Sequence, residues 1–289
     1  MEIVVTGCTG RLGRSLIREW QGEHVLHGLG REDLDFGEPA GLERKLEGLH
    51  FDALVNCAAL ADVESCESQL RQAHLVNAEA PRLLARVCAR RGARLIHFST
   101  DYVLDGASEG LKGEESVVGP LNHYARTKRA GEENVLEENP SAIVGRVSWL
   151  FGCGSEGVVE SVLRRAREGR ELRAVDDKFS KPTSVREIGR MVMALLGRPD
   201  LAGLFHLTHV GEPESRWSIA TKVVRLGHEA GLLESCPEVQ PEAMERAKRM
   251  RVVRPVHTAM DPARLRTDLH WRGVSWEEEA RISLESLSG

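Results

Sequence analysis

The feature that most constrains this chain is a β-branched run that ends in three glycines spaced by three. Residues 2–6 read Glu-Ile-Val-Val-Thr, and Gly7-Cys8-Thr9-Gly10-Arg11-Leu12-Gly13 follows at once. Leu12, Leu16, Ile17 and Trp20 then recur at helical spacing. The segment reads as strand, tight turn, helix. Glycines at such a turn let backbone N–H groups approach a pyrophosphate at the helix N-terminus. The spacing departs from G-x-G-x-x-G by one residue between the first two glycines, but the physics is the same. No Gly-Lys-Ser or Gly-Lys-Thr follows, which excludes a P-loop. A dinucleotide site is therefore expected at Gly7, Gly10 and Gly13.

The alternation continues. Residues 24–29 read as a second strand, 39–49 as a helix and 52–56 as a third strand. A long helix is expected over 69–91, with Leu70, Ala73, Val76, Ala80, Leu83, Leu84 and Val87 on its apolar face. Gly92 stops it, 94–99 is a fourth strand, 105–119 a glycine-bearing loop and 141–146 a fifth strand. Strands alternating with helices predict an α/β fold, a Rossmann-type doubly wound parallel sheet. Past residue 150 the rhythm weakens: helices over 158–168, 184–196, 217–230 and 276–287, short extended pieces at 171–175 and 204–207, and loop over 235–262. The expected division is a nucleotide-binding domain over 1–150, rejoined by a segment around 175–205. A smaller α+β substrate domain takes up 151–289, mostly in its C-terminal part.

A net charge of −5 and the absence of a basic block give no support to a nucleic-acid or anionic-membrane partner. No apolar run approaches the roughly 20 residues that span a bilayer, and residues 1–5 have the wrong flanks for a signal peptide. The expected compartment is cytoplasmic. Six cysteines (8, 57, 66, 88, 153 and 236) show no C-x-x-C pair, so buried reduced thiols are expected and no structural metal. His206 and His209 lack a Glu between them and a third ligand nearby, which argues against a metalloprotease-type site.

The end of the second strand bears on cofactor choice. An acidic residue there would bind a ribose 2′-hydroxyl; the chain reads Leu29-Gly30-Arg31, with Glu32 and Asp33 just beyond. Arg31 suits a 2′-phosphate, so NADP(H) is preferred and NAD(H) stays open; the competing reading of Arg31 is a solvated surface charge. At the carboxyl end of the fourth strand stands Ser99-Thr100-Asp101-Tyr102, the edge where open parallel sheets bind ligands. A hydroxyl there can donate to a carbonyl oxygen. His97, inside the strand, reads as a packed histidine rather than a catalytic base.

Downstream, Asn122-His123-Tyr124-Ala125-Arg126-Thr127-Lys128 opens a helix rich in good formers. Its i, i+4 spacing points Tyr124 and Lys128 into the same space. Lowering a phenol by ~3 pH units from about 10 takes ~4 kcal/mol. One ammonium at ~4 Å supplies a comparable energy at an effective dielectric near ~20. The pair is thus expected to exchange protons near neutral pH. A surface Tyr packed on a Lys stem is the ordinary alternative, although both tyrosines of the chain, Tyr102 and Tyr124, fall in this one region.

Taken together, these pieces resemble the extended short-chain dehydrogenases/reductases, and within them the dTDP-4-dehydrorhamnose reductase family. The matching stretches include 6–13, Leu34-Asp35, 55–59, Val76-Asn77, 98–106, 120–132, 145–152 and Lys181-Pro182-Thr183, with weaker echoes at 206–208, Trp217 and 254–261. The resemblance implies Thr100, Tyr124 and Lys128 as catalytic residues, with Tyr124 and Lys128 also at the cofactor, Lys128 on the nicotinamide ribose. It places Asp101, Tyr102 and Trp149 at the sugar ring and Gly7, Gly10, Leu12 and Gly13 at the pyrophosphate. Arg31 falls at the 2′-phosphate, and Asn56, Ala58 and Ala59 along the cofactor. The implied reaction is NADPH-dependent reduction of the C4 ketone of a nucleotide-linked deoxysugar, in a protein that leaves a homodimer open. The chain departs from the family pattern at Ala125, at Ser218-Ile219 and at His257-Thr258, mostly in the part expected to grip the nucleotide-sugar. Two alternatives follow. One is a related reductase, epimerase or dehydratase, although Tyr102 stands where a dehydratase would place Glu. The other is a non-catalytic NADP-binding subunit resembling the methionine adenosyltransferase β subunit.

Overall fold

The computed structural model describes residues 1–38, 41–152, 157–247 and 251–285. The chain begins β1 (Glu2–Thr6), α1 (Arg11–Trp20), β2 (Val25–Leu29), α2 (Leu42–Glu47), β3 (Ala53–Asn56), α3 (Val63–Ser68) and α4 (Leu70–His74). It continues through α5 (Ala80–Arg91), β4 (Arg94–Thr100), α6 (His123–Glu138), β5 (Ile143–Val147), β6 (Leu150–Phe151) and α7 (Val158–Arg167). Then come β7 (Leu172–Val175), β8 (Phe179–Ser180), β9 (Thr183–Ser184), α8 (Val185–Leu196) and β10 (Gly203–His206). The last elements are β11 (Glu214–Ser215), α9 (Arg216–Glu229), β12 (Val239–Glu242), α10 (Ala263–Leu269) and α11 (Trp276–Glu285).

Six strands form one parallel sheet in the order β10-β5-β4-β3-β1-β2. The pleat sorts its residues onto two faces. Ile3, Val5, Val55, Ile96 and Ile143 enter one core with α1 and α8, while Val4, Leu54, Leu95 and Val144 enter the other with α2 and α5. From β1 the chain runs outward to β2, then back across β1 to β3. The strand order therefore reverses between β1 and β3, and their carboxyl ends open a crevice. Gly189 brings α8 against α1, where a Cβ would lie 3.4 Å from Leu16 and 3.5 Å from Trp20. A third core, including Phe151, Leu163, Val223 and Trp276, unites α7, α9 and α11.

The structure departs from the sequence reading at several points. The expected helix over 69–91 is α4 and α5 joined by a π-helical turn, Leu75–Glu79. Its Asn77 reaches across to α6 and to the loop after β3: Nδ2 donates to Leu60 O at 3.0 Å and Thr127 Oγ1 at 3.1 Å, and Oδ1 accepts from Leu60 N at 2.9 Å. The extra residue of a π turn lets the backbone approach α6, where a Cβ on Gly131 would lie 2.2 Å from Asn77 O. The expected loop over 235–262 contains β12, paired in parallel with β7. Pro241 obscured this strand, and β12 tolerates it because it is an edge strand. Helices α3 and α10 were not foreseen either. Residues 39–40 of the expected second helix, residues 286–287 of the closing helix and Cys153 lie outside the described residues. Cys66 and Cys88 are buried thiols, Cys8 and Cys57 are half-buried, and Cys236 is exposed because it lies on the connection between α9 and β12. No helix among the described residues is long and apolar enough to cross a membrane.

Candidate active site

The turn after β1 packs against the loop after β3. Gly7 has φ +65°, and a Cβ there would meet Ala58 N at 2.7 Å; a Cβ on Gly13 would meet Gly7 O at 2.5 Å. Only glycine permits both the left-handed conformation and this backbone approach. Gly10 caps α1 without a side-chain hydrogen bond, so no capping side chain covers the start of the helix. The crevice is a cavity of about 230 Å³ lined by Gly7, Gly10, Arg31, Asp35, Ala58 and Ala59. Glycine backbone, the N-terminus of α1 and a guanidinium fit the phosphates and ribose of a dinucleotide. Leu12 packs in the core behind the turn. Asn56 is also buried, and its Oδ1 accepts from Thr6 Oγ1 at 2.7 Å and from Ala58 N at 3.2 Å. Both support the crevice from behind rather than line it.

Loop 57–63 walls this crevice and also a second cavity of about 410 Å³, which Ala61, Asp62 and Val63 help to line. Thr100, Asp101, Tyr102, Tyr124 and Trp149, expected far apart in sequence to share one site, all line this second cavity. Thr100 ends β4, where its Oγ1 lies 3.3 Å from Asp101 Oδ1 and accepts from Tyr102 N at 3.3 Å. α6 starts on Asn122, whose Oδ1 caps Ala125 N at 2.9 Å and whose Nδ2 donates to Val253 O at 3.0 Å. This capping aims the first turn of the helix, and Tyr124 with it, at Thr100. The Tyr102 and Tyr124 rings meet edge to face at 6.0 Å.

The electrostatics differ from the sequence expectation. The Tyr124 hydroxyl is not lowered; burial pushes it above the usual tyrosine value, with a hydrogen bond from Thr100 as the main opposing effect. The reason is geometric. The Lys128 ammonium does not line the cavity: it donates to Phe98 O at 2.7 Å and lies 3.5 Å from His97 Nε2, turned to β4 rather than to the phenol. Burial brings Lys128 itself down to about 8. Next to it, Glu132 takes a two-pronged ion pair from Arg146 at 2.8 Å on each oxygen, wholly inside the protein, and its carboxyl lies below the usual range.

Asp101 is 2 % exposed and cross-links distant segments. Its Oδ2 accepts from Ser180 Oγ at 2.9 Å and Thr258 Oγ1 at 2.5 Å. Burial raises its carboxyl, and the Lys178 ammonium works in the other direction. Lys178 donates to Pro255 O at 2.6 Å and sits 4.7 Å from the Tyr102 ring centre. Trp149 has φ +37°, a left-handed conformation that costs a bulky residue energy. Arg216 lies 4.9 Å from its ring centre, and its buried indole N–H has no partner among the described residues.

Sequence reasoning missed Arg216, Arg254 and Glu64 in the cavity wall. Arg254 clasps Glu64 with Nη2 at 2.7 and 2.8 Å, and its Nη1 donates to Tyr102 Oη at 3.3 Å. The Arg254-Pro255 echo was a signal for one of them; nothing in the local sequence marks Glu64. The departures from the family pattern have structural roles. Ala125 packs with Val63 and Tyr102, Ile219 enters the third core, His257 stacks on Phe179 at 5.2 Å, and Thr258 bonds Asp101. His206 and His209 are buried singly: His206 Nδ1 lies 3.1 Å from Asp261 O and His209 Nδ1 2.9 Å from Val274 O.

The RmlD substrate binding domain family matches residues 1–288. A dTDP-4-keto-6-deoxy-D-glucose reductase of Streptomyces niveus is 32% identical over 93% of this chain and 93% of its own. A dTDP-4-dehydrorhamnose reductase of Mycobacterium tuberculosis is 35% identical over 81% of this chain and 75% of its own. The crystal structure of a dTDP-4-dehydrorhamnose reductase ortholog from Clostridium acetobutylicum superposes with a TM-score of 0.91 at 27% identity, covering 100% of both chains. The Bacillus anthracis dTDP-4-dehydrorhamnose reductase, solved in complex with NADP, gives 0.87 at 26% identity, covering 99% of this chain and 97% of its own. Glycine turn, parallel sheet and the cavity beyond β4 thus accompany a match along the whole chain, which belongs to the RmlD substrate binding domain family of extended short-chain dehydrogenases/reductases.

Proposed function

We propose that this protein reduces the C4 ketone of dTDP-4-dehydro-6-deoxy-L-mannose to give dTDP-L-rhamnose, with NADPH as the preferred cofactor and NADH as the alternative. The observation that carries the proposal is that Thr100 and Tyr124 line one cavity, walled by the same loop, 57–63, that closes the glycine crevice. When bound, a reduced nicotinamide supplies the hydride. Tyr124 keeps its proton at neutral pH because burial holds its hydroxyl high. That is the form able to donate to an alkoxide developing at C4. Thr100 stabilises the same oxygen and Lys128, one turn along α6 from Tyr124, adds its positive charge from behind the cavity wall; Lys128 also holds the cofactor ribose. Asp101, Tyr102 and Trp149 form the sugar wall, and the unpartnered Trp149 N–H is a donor suited to a sugar hydroxyl. Arg216 and Arg254 bring guanidinium groups suited to a diphosphate. Gly7, Gly10, Leu12, Gly13, Asn56, Ala58 and Ala59 form or brace the cofactor crevice, with Arg31 at a 2′-phosphate. In this reading residues 1–150 with 175–205 handle the cofactor, and most of the remaining C-terminal part handles the nucleotide-sugar.

The match to a dTDP-4-keto-6-deoxy-D-glucose reductase over 93% of the chain supports a second reading, reduction of that other keto-sugar. Purified protein given NADPH and each dTDP-keto-sugar in turn distinguishes them by loss of nicotinamide absorbance and by the product formed. Faster turnover of the L-mannose derivative is expected. Faster turnover of the D-glucose derivative would favour the second reading, and no turnover of either would overturn both.

A further inference from the structure

His97 lies in the middle of β4 with 0 % of its surface exposed, so the groups that face its two ring nitrogens inside the protein set its tautomer. Asn56 is its register neighbour on β3. Asn56 Oδ1 accepts the Ala58 N–H at 3.2 Å, and a backbone N–H can only donate. That contact sets the orientation of the amide and turns Nδ2 toward His97 Nδ1 at 2.9 Å. An amide NH2 also only donates, so Nδ1 carries the lone pair and the neutral ring carries its proton on Nε2. Nε2 faces Lys128 Nζ at 3.5 Å. An N–H therefore meets an ammonium, a group with three donors and no acceptor.

We propose that His97 is a positioning residue for Lys128: locked by Asn56 as the Nε2–H tautomer, it denies the ammonium an acceptor beneath β4. The Phe98 carbonyl holds one proton at 2.7 Å, and the ring offers no acceptor to the others. The arrangement also favours the neutral amine, which can accept from Nε2–H. The remaining groups around Lys128 are Cys57 after β3, Cys66 on α3, and Tyr124 and Glu132 one turn away on α6, with Glu132 held by Arg146. Burial and the neighbouring Lys128 charge keep His97 neutral, in agreement with the tautomer. The chain of contacts ends at Thr6 and Ala58 in the interior, and an amide does not pass a proton along, so it braces Lys128 rather than relaying protons.

The inference rests on the proposed function only for what Lys128 does; tautomer and titration are measurable without substrate. In ¹⁵N-histidine-labelled protein, His97 is expected to remain neutral and Nε2-protonated from about pH 6 to about pH 9. In ¹³C-lysine-labelled protein, the Lys128 resonance is identified by its loss in Lys128→Arg. His97→Gln presents an amide oxygen able to accept, and is expected to raise the Lys128 midpoint by about one pH unit. The alkaline limb of the reductase reaction should move with it. A ring protonated on Nδ1, an imidazolium at neutral pH, or an unchanged midpoint in a His97→Gln variant of normal melting temperature overturns the inference. Should His97→Gln fail to fold, the wild-type tautomer still decides. If no keto-sugar is reduced while tautomer and midpoint behave as expected, the proposed function fails and the brace on Lys128 stands.

Discussion

The crevice over β1 and β3 and the cavity beyond β4 are built on opposite plans. The first draws its wall from residues 7–76, and at the glycine turn it is shaped by backbone, with Gly7, Gly10 and Ala58 in near contact. The second takes residues from Arg11 to Arg254 and is shaped by side chains, among them Tyr102, Tyr124, Trp149, Arg216 and Arg254. A backbone site recognises what all dinucleotides share, and it tolerates no added Cβ. A side-chain site can be changed one residue at a time, so it can be adjusted to a particular sugar without touching the cofactor.

The sharpest way to separate the two is Tyr124→Phe, which removes the donor and leaves the crevice untouched. Turnover is expected to fall by about 10²- to 10⁴-fold, with cofactor affinity by calorimetry changed far less. Wild-type turnover in this variant would sink the assignment of Tyr124. Gly7→Ala strikes the backbone site instead. The left-handed φ and the 2.7 Å approach to Ala58 N predict a loss of about 1–3 kcal/mol in stability. Thermal unfolding should show it, together with weakened cofactor binding. Arg254→Met should raise the KM for the nucleotide-sugar by roughly 10- to 100-fold, the value of one charged hydrogen bond, while the cofactor Kd stays fixed. A change in cofactor Kd of the same size would mean that the two sites are not separable. The smallest effect is in pH. The Lys128 charge is complete well below its value of about 8 and is lost as pH rises through it, so kcat/KM is expected to decline on the alkaline side around pH 8. A profile flat to about pH 10, the ordinary lysine range, would show that this charge is not needed.

Much of the nucleotide-binding half was legible because its signals are local. Alternating periodicity and a glycine turn declare strand, turn and helix within about twenty residues, and the parallel sheet follows. The proposed trio of Thr100, Tyr124 and Lys128 was legible as residue types at suitable element ends. Its electrostatics were not: helical spacing placed Lys128 beside Tyr124, but only folding showed that the ammonium turns to Phe98 O and that burial raises the phenol. The π turn at Asn77 was hidden because its cause, close approach to Gly131, lies 54 residues away. Strand β12 was hidden by Pro241, whose missing N–H matters only where a neighbouring strand would need it.

The amino-acid sequence by itself determined the glycine turn, the strand–helix alternation and the presence of Thr100, Tyr124 and Lys128, since each rests on spacing within one element. Only the tertiary structure decided what surrounds them: Arg254 on Glu64 and Tyr102, Asp101 tied to Ser180 and Thr258, and His97 turned by Asn56 toward Lys128. Those contacts join residues 31 to 190 positions apart. Burial of a charge or a ring nitrogen is a property of everything packed around it, and no local pattern of residues carries it.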